Sequence, residues 1–129
     1  MIRAHATPIL ALLGAVSGLT VYDEASAAKA GAPFVVARVS GSRTRPGLTS
    51  GSDQFLATIT LLAYGKDRFQ AQWVAEKAIG ALIDVRPSVS GRTSSRIEQV
   101  NDAGTHRDDE FTPVLFYTVA QLQFVTVPG

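Results

Sequence analysis

The chain contains no cysteine and only two histidines. Without thiols, a disulfide scaffold and any thiolate metal site are excluded, which fits a reducing compartment. His5 and His106 lie far apart in the chain, and neither has a second metal ligand at helical spacing. A zinc site is therefore not expected, and we expect no cofactor.

A marked excess of charge of either sign is also missing. Lys and Arg total 12 and Asp and Glu total 11, which gives a net charge of +1. No strong attraction to nucleic acid or to acidic surfaces follows from that total. With 46% hydrophobic and 18% charged residues, the composition is typical of a globular protein. The 129 residues suffice for one domain, residues 1–129, around one core.

Catalytic motifs are lacking as well. The sequence has no glycine-rich phosphate-binding loop and no Gly-x-Ser-x-Gly turn. Ser50, His106 and Asp108 contain the residue types of a hydrolase triad, but nothing in their positions supports that chemistry. We therefore expect a protein that is not an enzyme.

The longest apolar run near the N-terminus, residues 9–16, is too short to span a bilayer. Followed by Ala-Ser-Ala at residues 25–27, it could belong to a secretory signal. Pro8 at its start and the acidic residues 23–24 favour another interpretation, a helix retained in the mature protein. The apolar side of that amphipathic helix would carry Ile2, Ala6, Ile9, Leu10 and Leu13.

A strand followed by a helix, at residues 53–84, is the strongest pattern in the chain. Residues 54–64 alternate as a strand, with Phe55, Ala57, Ile59, Leu61 and Ala63 on one face. Gly65 ends the strand, and Asp67 occupies the N-cap position of a helix over residues 67–84. The helical period predicts a core-facing stripe of Ala71, Val74, Ala75, Ala78, Ile79 and Leu82.

Two aromatic residues of this helix, Phe69 and Trp73, fall outside that stripe. Isolated exposed aromatics are normal, whereas a pair at positions i and i+4 is less so. Two interpretations remain open. Either the N-terminal helix or a loop of the same chain covers the pair, or another subunit does.

The remaining pattern predicts strands at residues 19–22, 34–39, 95–102 and 114–125. Residues 34–39 would form an antiparallel hairpin with residues 54–64, and residues 95–102 another with residues 114–125. The last strand exceeds ordinary length, so we expect a bulge in it or a segment beyond the sheet. With the helix as the crossover between the hairpins, the sequence predicts an α+β fold: a mixed, mostly antiparallel sheet with helices packed on one face.

Two charged segments join these elements. Residues 41–52 read as a long polar loop, which we expect to be mobile until a partner orders it. Its Arg43 and Arg45 could meet phosphates, but without neighbouring aromatics they are weak evidence for nucleic-acid binding. Residues 103–110 read as a turn ending in Arg107, Asp108, Asp109 and Glu110. Adjacent acids could chelate a hard cation, yet cation ligands usually come from spaced positions, which favours a solvated or partner-facing tip.

The order of these segments resembles the tail terminator (tail completion, minor tail protein U-like) family of long-tailed bacteriophages. The resemblance covers nearly the whole chain and is one of layout. It is carried by the helix with Ile-Leu-Ala-Leu-Leu at residues 9–13, Val21–Tyr22, Ala-Pro-Phe-Val-Val at residues 32–36, the strand at residues 57–61, the helix end at residues 78–82 and the closing strand at residues 114–124.

The resemblance implies a small subunit of a homo-hexameric ring that caps the tail tube and ends its polymerisation. Its partners would be the tail tube protein and a head-side connector or stopper protein, with DNA passing through the lumen without specific binding. The protein would be assembled in the host cytoplasm, belong to the virion and have no membrane partner. The family offers no catalytic residues to transfer.

The chain departs from the common family pattern in residues 41–52 and 107–110, so which partner each segment contacts stays open. The candidate interface residues are Arg43, Arg45, Phe69, Trp73, Arg107, Asp108, Asp109 and Glu110. The alternatives are another head–tail connector or neck subunit, and a small secreted α+β binding protein.

Overall fold

The computed structural model describes residues 2–22, 33–44, 54–108 and 114–129, except the side chains of residues 43, 44, 102 and 103. These residues form an α+β fold, as predicted. Its two helices are α1 (Ile2–Gly14) and α2 (Arg68–Leu82). Its strands are β1 (Val21–Tyr22), β2 (Phe34–Thr44), β3 (Gln54–Gly65), β4 (Arg92–Ser94), β5 (Glu98–Asp108) and β6 (Leu115–Pro128).

One mixed sheet contains all six strands, in the order β1-β2-β3-β6-β4, with β5 also paired to β6. β1 runs parallel to β2, and every other pairing is antiparallel. Both predicted hairpins are confirmed, since β2 pairs with β3 and β5 with β6. Helix α2 is the crossover between them, so β3 and β6 become neighbours at the centre of the sheet.

Strand β3 is the middle of the core. Its residues alternate between buried and half-buried along the whole strand, and the predicted core face from Phe55 to Ala63 is confirmed. The residues on the other face are half-buried, so this side of the sheet is less completely covered. A strand with one fully buried face has its register fixed, because a slip by one residue would expose every core side chain.

Both helices pack on the core face of the sheet, as expected from the amphipathic patterns. Helix α1 buries His5, Ile9 and Leu13, while Ile2, predicted on the same side, is 48% exposed. Full burial of a Leu or Ile side chain contributes about 1.5–3 kcal/mol to folding. Helix α2 buries Ala71, Val74, Ala75, Ala78 and Leu82, and only Ile79 of its predicted stripe stays half-buried.

The start of α2 is fixed by two residues that the sequence singled out. The Asp67 carboxylate accepts a hydrogen bond from the Gln70 backbone N–H at 2.7 Å, which confirms the predicted N-cap. Gly65 ends β3 where the chain turns onto the helix. A Cβ at this position would lie 2.4 Å from the Ala71 backbone nitrogen, so only glycine fits the close approach of strand and helix.

The predicted boundary between the first strand of the β2–β3 hairpin and its loop is wrong, because strand pairing extends further than local composition indicates. Residues 41–44, predicted as loop, belong to β2 and pair with β3. Gly41, taken as a loop signal, is a packing glycine: a Cβ there would lie 2.2 Å from the Phe55 ring. Residues 45–52 lie outside the described part of the chain. Long-range pairing with a continuous partner strand overrides the low β propensity of Gly and Ser.

The region between α2 and β6 also differs from the prediction. Arg92–Ser94, expected as a connection, forms β4, and β5 runs on to Asp108 through most of the predicted turn. The irregularity expected in the last strand lies in its partner, because the register between β5 and β6 shifts twice, near Val100 and near residue 103. Gly104, next to the second shift, has φ +81°, a left-handed conformation that glycine adopts without strain.

Candidate functional site

Phe69 and Trp73 form the most conspicuous exposed apolar feature of the described residues, and together they are called the aromatic ridge below. Their side chains are 84% and 45% exposed on the outer side of α2. The Lys77 ammonium lies 5.3 Å from the centre of the Trp73 ring, a cation–π distance. Helix α1 and the rest of the described residues therefore leave the ridge accessible.

A groove of about 360 Å³ runs beside the ridge, between α2 and β5. The Gln72 amide donates to the Thr105 hydroxyl at 3.3 Å, and that hydroxyl lies 2.9 Å from the Thr118 hydroxyl. The Arg68 guanidinium at one end of α2 lies 5.4 Å from the centre of the Phe116 ring. The groove is lined by Arg68, Gln72, Ala75, Glu76, Ile79, Gly104, Thr105 and Thr118.

The described members of the predicted charged set lie at two different ends of the sheet. Arg43 lies in β2 opposite Phe55, at the end of the sheet far from Asp108, which pairs with Leu115. Arg107 is exposed in β5, and the half-buried Asp108 carboxylate accepts a hydrogen bond from the Tyr64 hydroxyl at 3.4 Å. Arg45, Asp109 and Glu110 lie outside the described residues. The sheet thus separates Arg43 from Arg107 and Asp108 within a subunit.

A row of aromatic rings on the face opposite the two described helices was not predicted. Phe34, Tyr64, Tyr117 and His106 are successive cross-strand partners on β2, β3, β6 and β5. Their ring centres follow at 4.7, 5.4 and 5.4 Å, and Tyr22 contacts Phe34 edge-on at 5.8 Å. The individual strands give no sign of this row, because it depends on the register among four strands.

One residue of the row, Tyr64, has a clearly shifted pKa. Burial raises the pKa of Tyr64 to about 12, and the negative charge of Asp108 and its hydrogen bond act in the same direction. Each effect disfavours the phenolate, since the ionised oxygen would lose hydration and face another anion. Tyr64 is thereby held as a hydrogen-bond donor, which suits a structural role in the row.

His5 was also missed as an important residue. It is fully buried, with its ring centre 4.3 Å from that of Phe55 and 5.9 Å from that of Phe124. Its Nε2 lies 2.7 Å from the Thr126 hydroxyl, which also accepts from Arg92 Nε at 2.7 Å. The sequence signal was its position four residues before Ile9, on the buried side of α1. His5 is therefore a docking residue: its buried ring holds α1 against the sheet.

Among the described residues, no three His, Asp or Glu side chains converge in a way that could hold a metal ion. Neither described helix is long and apolar enough to cross a membrane. Comparison with known protein families and with characterised proteins gives no match. The candidate site of the described part of the chain is accordingly a surface, the aromatic ridge of α2 with its flanking charges.

Proposed function

We propose that this chain is a structural subunit of a bacteriophage tail, which forms a homo-hexameric ring at the end of the tail tube. In that role it stops tube polymerisation and joins the tail to the head-side connector. The observation that carries the proposal is the aromatic ridge, displayed on a helix whose opposite side is firmly packed on the sheet. The layout of elements, which resembles that of tail terminators, supplies the specific assignment.

The ridge has the properties of an assembly contact. Phe and Trp side chains bury large areas with few rotatable bonds, and residues of this kind dominate the binding energy of many interfaces. Arg68, Glu76 and Lys77 surround the pair on α2. An apolar centre with a polar and charged rim is the usual anatomy of a protein–protein interface.

The separated charged segments fit the same role. A closed ring needs heterologous contacts, in which different surfaces of one subunit meet. Arg43 and Arg107–Asp108 lie at opposite ends of the sheet and belong to different strands. Charges placed in this way set register and orientation between neighbours more than they add affinity.

The proposal includes two protein partners and a location. One side of the ring would contact the tail tube protein, and the other the head-side connector or stopper protein. DNA would pass through the lumen without sequence-specific binding, in keeping with a net charge of only +1. The protein would function in the virion.

The test uses the full chain and the tail tube protein of the same virus. Light scattering and negative-stain microscopy of the purified chain are expected to show six-membered rings. Addition of these rings to polymerising tube protein is expected to give short tubes, each with a ring at one end. A connector or neck subunit would form rings without limiting tube length, and a secreted binding protein would stay monomeric. Either result would overturn the proposal.

A further inference from the structure

The face of the sheet opposite the two described helices carries a second, partly exposed surface, far from the aromatic row. Leu56 and Val125 are cross-strand partners on β3 and β6, and Thr58 pairs with Gln123 beside them. All four are half-buried in the subunit. They form what is called the open-face patch below. At its β5 edge, Gln123 donates a hydrogen bond to the exposed Glu98 carboxylate at 3.2 Å.

The ridge and the open-face patch lie on opposite sides of the subunit. Helix α2 turns Ala71, Val74 and Ala78 to the core face of the sheet, so Phe69 and Trp73 point away from it. The patch is on the other face, because Leu56 alternates with the buried Phe55 and Ala57 along β3. A contact between ridge and patch can therefore form only between different copies of the chain.

We propose that the aromatic ridge of one copy docks on the open-face patch of the next copy. This contact rests on the proposed function and specifies how the ring is joined. Leu56 and Val125 offer an apolar centre across two neighbouring strands, whose spacing of about 4.8 Å lets one aromatic side chain contact both. The ridge would gain the burial that the described residues of its own subunit do not give it.

The charges around the two surfaces complement each other. On α2 the ridge lies between Glu76 on one flank and Lys77 on the other, as their positions at 100° per residue require. On its β2 side the patch is bordered by Ser40 and Ser42, and on its β5 side by the exposed Glu98. One orientation of docking brings Lys77 to Glu98, while the reverse orientation brings Glu76 to Glu98 and sets like charges against each other. The charges thus select one direction.

Each copy would contact one neighbour through its ridge and another neighbour through its patch. The contact is therefore heterologous and repeats from copy to copy. Such a contact closes into a ring when the rotation between copies divides a full turn, and otherwise it extends as a filament. Because the ridge and the patch face opposite sides of the subunit, two copies cannot make the contact reciprocally, which excludes a two-fold dimer. This distinction supplies the experiment.

Two single-surface variants of the full chain test the proposal. Phe69→Ala/Trp73→Ala removes the ridge, and Leu56→Arg places a cation in the patch. Each variant alone is expected to associate at least about tenfold more weakly than the unmodified chain, since truncated anchors dominate such interfaces. Mixed in equal amounts, the variants retain one intact ridge and one intact patch. Sedimentation velocity should then show a heterodimer that does not grow further.

Glu98→Lys is a second patch variant that leaves the core untouched, and it should weaken association while Lys77→Glu/Glu98→Lys restores it. Arg86→Ala, an exposed change elsewhere, is the matched control. Circular dichroism checks that every variant is folded. The docking is overturned if folded variants assemble like the unmodified chain, if the mixture gives no heterodimer, or if the unmodified chain never associates.

The two proposals fail in different ways. Rings that limit tube length, with both variants still assembling normally, would overturn the docking and leave the proposed function standing. A heterodimer in the mixture, with tubes that keep growing beside unmodified rings, would support the docking and overturn the proposed function.

Discussion

His5 and Thr126 are 121 positions apart in the chain, yet His5 Nε2 lies 2.7 Å from Thr126 Oγ1 in the buried core. The same hydroxyl accepts from Arg92 Nε, and the Arg92 guanidinium also donates to the Thr126 carbonyl oxygen at 3.0 Å. One side chain of β6 therefore joins the first helix to β4. We therefore expect the stability of the whole fold to depend on the contacts of Thr126 with His5 and Arg92.

Replacement of His5 by Ala should destabilise the fold by about 2–4 kcal/mol, because a fully buried ring is removed from between two phenylalanines and a cavity is left. Urea unfolding followed by circular dichroism measures the change. Thr7→Ala, an exposed change on the same helix, is the control. A loss for His5→Ala no larger than that of the control would mean that His5 is not a docking residue.

Thr126→Val keeps the shape of the side chain but removes its hydroxyl, so His5 Nε2 and Arg92 Nε each lose this partner. The expected cost is about 1–3 kcal/mol, the usual penalty for buried polar groups deprived of a hydrogen bond. Thr126→Ser retains the hydroxyl and should recover most of the stability. A Thr126→Val variant as stable as the unmodified chain, beside a less stable Thr126→Ser variant, would show that packing of the methyl group matters and the hydrogen bonds do not.

The raised pKa of Tyr64 predicts how stability changes at alkaline pH. Its pKa is about 12 in the folded protein and about 10 in the unfolded chain. Between these values the folded state holds a proton that the unfolded state has lost. This contribution is complete below about pH 10 and is lost as the pH rises through 12.

Ultraviolet titration of tyrosinate absorbance checks this prediction. Tyr64→Phe should remove the late part of the curve and flatten the loss of stability over the same range. Asp108→Asn should move the Tyr64 transition to lower pH without abolishing its elevation, since burial is the largest cause. A titration in which all three tyrosines ionise together near pH 10 would contradict it.

Two glycine substitutions should act in opposite directions. Gly41→Ala places a Cβ 2.2 Å from the Phe55 ring and should cost about 1–3 kcal/mol, because that ring is packed against His5. Gly80→Ala meets nothing within 4 Å on the exposed side of α2 and should stabilise the fold by about 0.5–1 kcal/mol. Thermal unfolding of both variants gives the comparison. Equal effects would imply that Gly41 lies in a loop after all.

The features that the sequence predicted correctly are those encoded by a local period. The alternation around Ile59, the stripe around Val74 and the cap at Asp67 need no knowledge of distant residues. The exposure of Phe69 and Trp73 follows from the same period, so the central part of the candidate site was within reach of sequence reasoning.

The features that it missed depend on distant contacts. In the sequence Gly41 indicates a loop, and only the structure shows that the Phe55 ring fills the space that a Cβ at this position would need. The aromatic row needs the register of four strands, and His5 needs the position of Thr126. The sequence predicts a turn at the end of β5, because the partner strand that holds this segment extended comes later in the chain.

The place of β6 in the sheet determines when the fold can be completed during synthesis. This strand pairs with β3, β4 and β5, yet it is the last of the described strands to leave the ribosome. Until it emerges, β3 has one open edge and α2 lacks part of the surface on which it packs. The open-face patch, half of which comes from β6, does not exist at that stage. The proposed contact between ridge and patch is therefore expected to form only once β6 has been synthesised and has paired with β3.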